Sequence, residues 1–119
     1  MGTIMVSLVV DECYAFDFLS ILEVKYEESK NDVIKEKLNL CFKDLSQKIS
    51  QFDTIYNSLE YKAVKDANRV IFDAVEHAKE NLVNAKYVDE CNYKRYIVKK
   101  ILQEKYFGNM SETKLGYEE

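Results

Sequence analysis

From Thr3 to Phe107 the chain contains neither glycine nor proline: its three glycines are Gly2, Gly108 and Gly116, and proline is absent altogether. A run without either strong breaker favours long helices, ended by Asn, Asp and Ser instead of Gly or Pro. The 119 residues, 47% apolar and 32% charged, suffice for one domain with a buried core. Nine tyrosines and six phenylalanines set the chain apart from disordered sequences, which are poor in aromatics.

Asp11 is a good N-cap, and a first helix is expected from there to about Ser29. The polar cluster from Glu28 to Asp32 interrupts the pattern, with Asp32 read as the cap of a second helix. In that helix Ile34, Leu38, Cys41, Leu45, Ile49, Phe52, Tyr56 and Leu59 follow one another at spacings of three and four, a single apolar stripe of coiled-coil type. Running from Asp32 to about Ser58, it would be roughly 40 Å long at 1.5 Å per residue, so other helices must pack along it. A third helix presents Ala63, Ala67, Val70, Ile71, Ala74, Ala78 and Leu82, an alanine-rich face that permits close approach. A last helix has Cys91, Val98, Ile101, Leu102 and Lys105 on one side. The expected fold is all-α, an antiparallel four-helix bundle with a long second helix, formed by residues 1–107 and followed by a polar tail at 108–119. The N-terminal run from Thr3 to Val10 is rich in β-branched residues. It is expected to be extended, packed over the bundle or paired with a second copy.

A formal net charge of -4 argues against a polyanion-binding protein as a whole, though a local basic patch would still serve. Cys13, Cys41 and Cys91 are odd in number, far apart and accompanied by a single His, which does not fit a structural zinc site. They read as reduced thiols, and no metal or cofactor is expected. The apolar N-terminal run lacks a basic flank, meets Asp11 and Glu12 at once and is too short to span a bilayer. A cytoplasmic protein without a membrane partner is the expectation.

Three stretches, "DFLSILEVK" (Asp17 to Lys25), "DANRVIFDAVE" (Asp66 to Glu76) and "NYKRYIVKKI" (Asn92 to Ile101), resemble a family of short helical proteins. That family occurs in bacteria and in tailed phages of marine cyanobacteria and is known only as a domain of unknown function. The matching positions are Asp17, Ser20, Glu23, Lys25, Asn68, Phe72, Asn92, Arg95 and Lys99. Phe18 departs from a family Lys, and Val75 from a family Glu. The resemblance implies a helical fold and a bacterial or phage source, and it implies no reaction.

At 100° per residue, Tyr14, Ala15, Phe18, Leu19, Ile21, Leu22 and Tyr26 define an apolar sector of the first helix with Lys25 inside it, while Glu23 and Glu27 fall on the polar side. Two readings of Lys25 stand: a packed stem with its ammonium reaching water, or a buried ammonium paired with a carboxylate of another helix, such as Asp66, Asp73 or Glu76. Asn92, Arg95 and Lys99 fall within about 60° of one another on the border of the last helix's apolar side. They form a groove that grips a phosphate or carboxylate, or else a solvated face or a structural pair with the acidic first helix. Asn68 borders the apolar face of its own helix.

Glu23, Glu27, Asp73, Glu76 and Glu80 have spacings like those of helical pyrophosphohydrolases, yet the acids of the third helix face away from its apolar side. His77 stands on a polar flank, and no nucleophile–base set or phosphate loop is visible. The sequence therefore favours a non-enzymatic interaction or scaffold module, a homodimer with a host or phage protein as possible partner. Glu23, Lys25, Asn68, Asn92, Arg95 and Lys99 are the candidate binding residues, and none is assigned a catalytic role. The alternatives are a small-anion-binding enzyme built on Lys25, Arg95 and Lys99, and nucleic-acid binding through Tyr93 to Lys100.

Overall fold

The structure, a computed structural model, describes residues 9–80 and 84–109. Most of the N-terminal run, Leu82 and the tail from residue 110 lie outside the described residues. All regular structure among them is helical: α1 (Glu12–Ser29), α2 (Asp32–Lys48), α3 (Phe52–Tyr56), α4 (Leu59–Lys79) and α5 (Ala85–Tyr106). No helix there is long and apolar enough to cross a membrane.

Asp11 occupies the N-cap of α1 in extended conformation, and its carbonyl accepts the Tyr14 N–H at 3.0 Å. The helix ends at Lys30, which enters the left-handed region (φ 53°) and returns its N–H to the Tyr26 carbonyl at 2.8 Å. This sharp exit reverses the chain one residue earlier than expected. Asn31, and not Asp32, therefore caps α2, its Oδ1 accepting from Val33 N at 2.8 Å and Ile34 N at 3.2 Å.

The single long helix expected over Asp32–Ser58 is two. The Ile49 N–H still bonds the Leu45 carbonyl at 2.9 Å, but the backbone of Ile49 leaves the helix (φ −108°, ψ 112°). A turn through Ser50 and Gln51 follows, closed by Phe52 N–H on the Ile49 carbonyl at 3.1 Å. The break turns Phe52 and Ile55 fully inward. Phe52 stacks on Phe16 at 5.8 Å between centroids and receives the edge of Phe42 at 4.9 Å. Leu59, last member of the stripe, is left 80% exposed. Nothing in the periodicity marks the break, because the stripe continues in phase through it.

The start of α4 meets the end of α5, where Glu60 accepts from Lys105 Nζ and from the Tyr106 hydroxyl, each at 3.0 Å. Helix α1 packs against α2, α4 and α5. The core joins Cys13, Phe16 and Leu19 of α1 to Leu45, Phe52, Ile55, Tyr61, Val64 and Leu102. Of the faces expected on α4 and α5, Ala74, Cys91 and Leu102 are buried, whereas Val70, Ile101 and Lys105 are exposed. Gly108, at φ +109°, ends α5 where the left-handed region favours glycine.

Candidate functional site

The first helix buries only part of its apolar sector, Leu19 and Leu22, and buries with it residues expected on the polar side. Phe18 is 53% exposed and Lys25 faces solvent, while Asp17, Ser20 and Glu23 are buried with 4%, 0% and 8% of their surface accessible. The expectation that Glu23 points outward and Lys25 inward is thus reversed. A helical wheel sorts residues by hydropathy alone, but a polar face can be buried once each group meets a partner. Here the hydrogen-bond partners come from elements 33 to 78 residues further along the chain.

Asp17 is the centre of that face. Its Oδ1 accepts from Asn68 Nδ2 at 2.9 Å and from Arg95 Nε at 3.1 Å, and its Oδ2 accepts from Arg95 Nη2 at 2.5 Å. The guanidinium therefore grips the carboxylate with two parallel bonds. Lys99, buried with 3% of its surface accessible, places Nζ 3.9 Å from Asp17 Oδ2 and 3.9 Å from the centre of the Tyr14 ring. An ammonium over an aromatic face in a desolvated site gains about 2 kcal/mol. The second proton of Asn68 Nδ2 goes to Ser20 Oγ at 2.7 Å, and Ser20 donates to the Asp17 carbonyl at 2.8 Å. One carboxylate of α1 thus holds both α4 and α5.

Two turns further along α1, Glu23 accepts from the Tyr56 hydroxyl at 2.5 Å and from the Tyr61 hydroxyl, with Lys65 Nζ 3.6 Å away. Burial first, and then donation to this carboxylate, push both phenols well above their usual value. At the exposed rim, Glu27 pairs with Lys65 at 2.8 Å and with Arg69 at 2.5 Å. The Lys65 bond is the main reason its carboxyl lies below the usual range. At the other end of α1, the buried Gln103 accepts the Cys13 N–H at 2.9 Å and donates to Glu12 at 3.0 Å. It satisfies one of the amides left open at a helix start.

Asn68, Arg95 and Lys99 are therefore brought together around Asp17, and Glu23 meets Tyr56, Tyr61 and Lys65 instead. Asn92 lies half-buried three residues before Arg95, and Lys25 faces solvent apart from them. Asp66, Asp73 and Glu76, considered as partners of Lys25, are exposed, and Asp66 pairs with Lys62 at 2.9 Å. The alternative anion groove made of Lys25, Arg95 and Lys99 does not assemble, because Arg95 and Lys99 converge on Asp17. The basic stretch from Tyr93 to Lys100 is divided as well: Tyr93 is 44% exposed, but Tyr96 and Lys99 are buried. Among the described residues no three His, Cys, Asp or Glu side chains are placed to hold a metal ion.

Tyr56, Tyr61, Lys65 and Gln103 are the network members that reading the sequence missed. Asp17 and Ser20 were indicated there only by the family resemblance. Comparison with protein-family profiles, with curated proteins and with solved structures returned no match.

Proposed function

We propose that the protein is a non-enzymatic interaction or scaffold module, a four-helix bundle of α1, α2, α4 and α5 in which α3 caps the second helix. It is of bacterial or phage origin, acts in the bacterial cytoplasm and binds other protein surfaces through its outer faces, a second copy among them. One observation supports this reading above the rest. Arg95 and Lys99, the cations an anion site would need, already face a resident carboxylate that belongs to the chain itself. An incoming phosphate or dicarboxylate would have to displace Asp17 from a doubly bonded guanidinium, and the displaced carboxylate would stay buried. The family resemblance of Asp17, Ser20, Glu23, Asn68, Arg95 and Lys99 agrees with a shared structural role for this network.

Thermal-shift measurement against inorganic phosphate, nucleotides and small dicarboxylates tests the reading. A ligand at a hundred times its dissociation constant stabilises by about 2.7 kcal/mol, several degrees for a domain of this size. No shift is expected. A shift of several degrees that disappears in Arg95→Gln would restore the anion-binding enzyme and remove the scaffold reading.

A further inference from the structure

Helices α1, α4 and α5 each pack against the other two, and polar groups tie them, Asp17 to Asn68 and Arg95, and Glu60 to Lys105. Helix α2 is attached differently. It packs along α1 and meets α3, without extensive contact to α4 or α5. Of its stripe only Leu45 is buried; Ile34, Leu38, Cys41 and Ile49 are half-buried, and Val33 and Leu40 beside them are exposed. Among the described residues, the side-chain hydrogen bonds and ion pairs of α2 stay within the helix and its cap: Asn31 to Val33 and Ile34, Ser46 to Lys43, and Lys48 to Asp44. The polar link across to α1 is loose, with Lys35 Nζ 5.9 Å from the centre of the Tyr26 ring.

We infer that α2 is a strap, which opens as one unit from a frame of α1, α4 and α5 that stays folded. Few buried apolar side chains and an exposed backbone mark the segments that open well before the whole molecule unfolds. Both ends permit the motion. The chain has already left α1 at Lys30, in the left-handed region, and it has left α2 at Ile49, so detaching the strap breaks neither neighbour. Beyond the second hinge Phe52 stays anchored on Phe16, and Ile55 stays fully buried. A helix of 17 residues is marginal by itself in water, so α2 unwinds as it leaves. What it uncovers is specific. Phe42 sets its edge on Phe52 and Tyr56 at 4.9 and 5.1 Å, and opening bares these two rings beside the Glu23 carboxylate to which Tyr56 donates. The strap thus gates an aromatic surface that is closed in this structure. The inference concerns the fold and stands whether or not the outer faces bind a protein.

Native-state hydrogen exchange on the full chain, resolved by residue and followed at low urea, gives the test. The amides from Glu36 to Leu45 should share one opening equilibrium. Corrected for intrinsic rates, they should exchange about a hundredfold or more faster than the slowest amides of α1, α4 and α5. Two substitutions separate opening of the strap from instability of the whole. Leu45→Ala loses a contact that opening breaks, so it should speed exchange throughout α2 by about tenfold or more. Leu102→Val loosens the frame, which stays packed when the strap opens. It should speed the slowest amides of α4 and α5 and leave those of α2 unchanged. Exchange of α2 as slow as that of α1 overturns the inference. Graded exchange along α2 that Leu45→Ala does not alter overturns it too, since that is fraying. So does exchange of α2 that rises with Leu102→Val by the same factor as in α4 and α5, since α2 then opens only when the whole molecule unfolds.

Discussion

Asp17 and Lys25 are eight residues apart on one helix and differ most sharply in what their loss should do. Removing Asp17 leaves a buried ammonium and a half-buried guanidinium facing each other without their anion. Breaking such a pair from one side costs about 3–5 kcal/mol, so Asp17→Ala should lower the urea midpoint steeply. Lys25→Ala, at an exposed position, should change monomer stability by no more than about 0.5 kcal/mol. The hydroxyls on Glu23 give a second test. Tyr56 and Tyr61 have raised pKa values, so their contribution to stability is complete below the usual phenol value of 10 and is lost only as the pH rises through the higher folded values. In an alkaline ultraviolet titration, exposed tyrosines should ionise first and these two only with unfolding. Ionisation of all nine tyrosines in one step near the usual value would contradict the Glu23 geometry. Glu23→Gln replaces one acceptor oxygen by a donor and should cost about 1–3 kcal/mol by leaving a buried hydroxyl unpaired.

At the level of elements, the break after Lys48 separates two kinds of apolar residue that share one stripe. Phe52 lies inside the turn's far side, packed on Phe16 and Phe42, whereas Leu59 projects from the start of α4. Phe52→Ala should therefore cost about 3–5 kcal/mol, and Leu59→Ala no more than about 0.5 kcal/mol, both by equilibrium denaturation. An uninterrupted second helix would predict similar costs for the two. Much of the helical pattern was legible in the sequence: α1 begins and ends close to where Asp11 and Ser29 indicate and α4 begins beside Ser58, whereas α5 starts at Ala85, inside the polar stretch Asn84–Glu90 expected to precede it. Local chemistry sets such limits, since caps and breakers act within a turn. The break at Ile49 was not legible, because it answers to a core contact of Phe52 with Phe16, a residue 36 positions before Phe52 and invisible to any local window. The inward polar face of α1 was hidden for the same reason.

For the molecule as a whole, α1 is the organising element, packed against three other helices and tied to two of them through one carboxylate. Apolar contacts such as Phe16 on Phe52 supply non-directional burial, which alone would tolerate α1 in several rotations about its axis. The network of Asp17, Ser20, Asn68 and Arg95 admits one rotation, with Asp17, Ser20 and Glu23 inside and Phe18 and Lys25 outside. Turning α1 to bury Phe18 and Lys25 as well would pull Asp17 and Glu23 from their partners. The rotation of α1 and the direction of its side chains thus depend on the same residues, which is why the candidate site was half legible: the residue types stood out, but their direction did not. A double-mutant cycle on Asp17 and Arg95, each changed to alanine singly and together and followed by global unfolding in urea, tests this most directly. The account predicts a coupling of about 2–3 kcal/mol, near the top of the range for residues in contact. A coupling below about 0.5 kcal/mol would show that the two side chains act independently and that α1 is not held in register by its buried polar face.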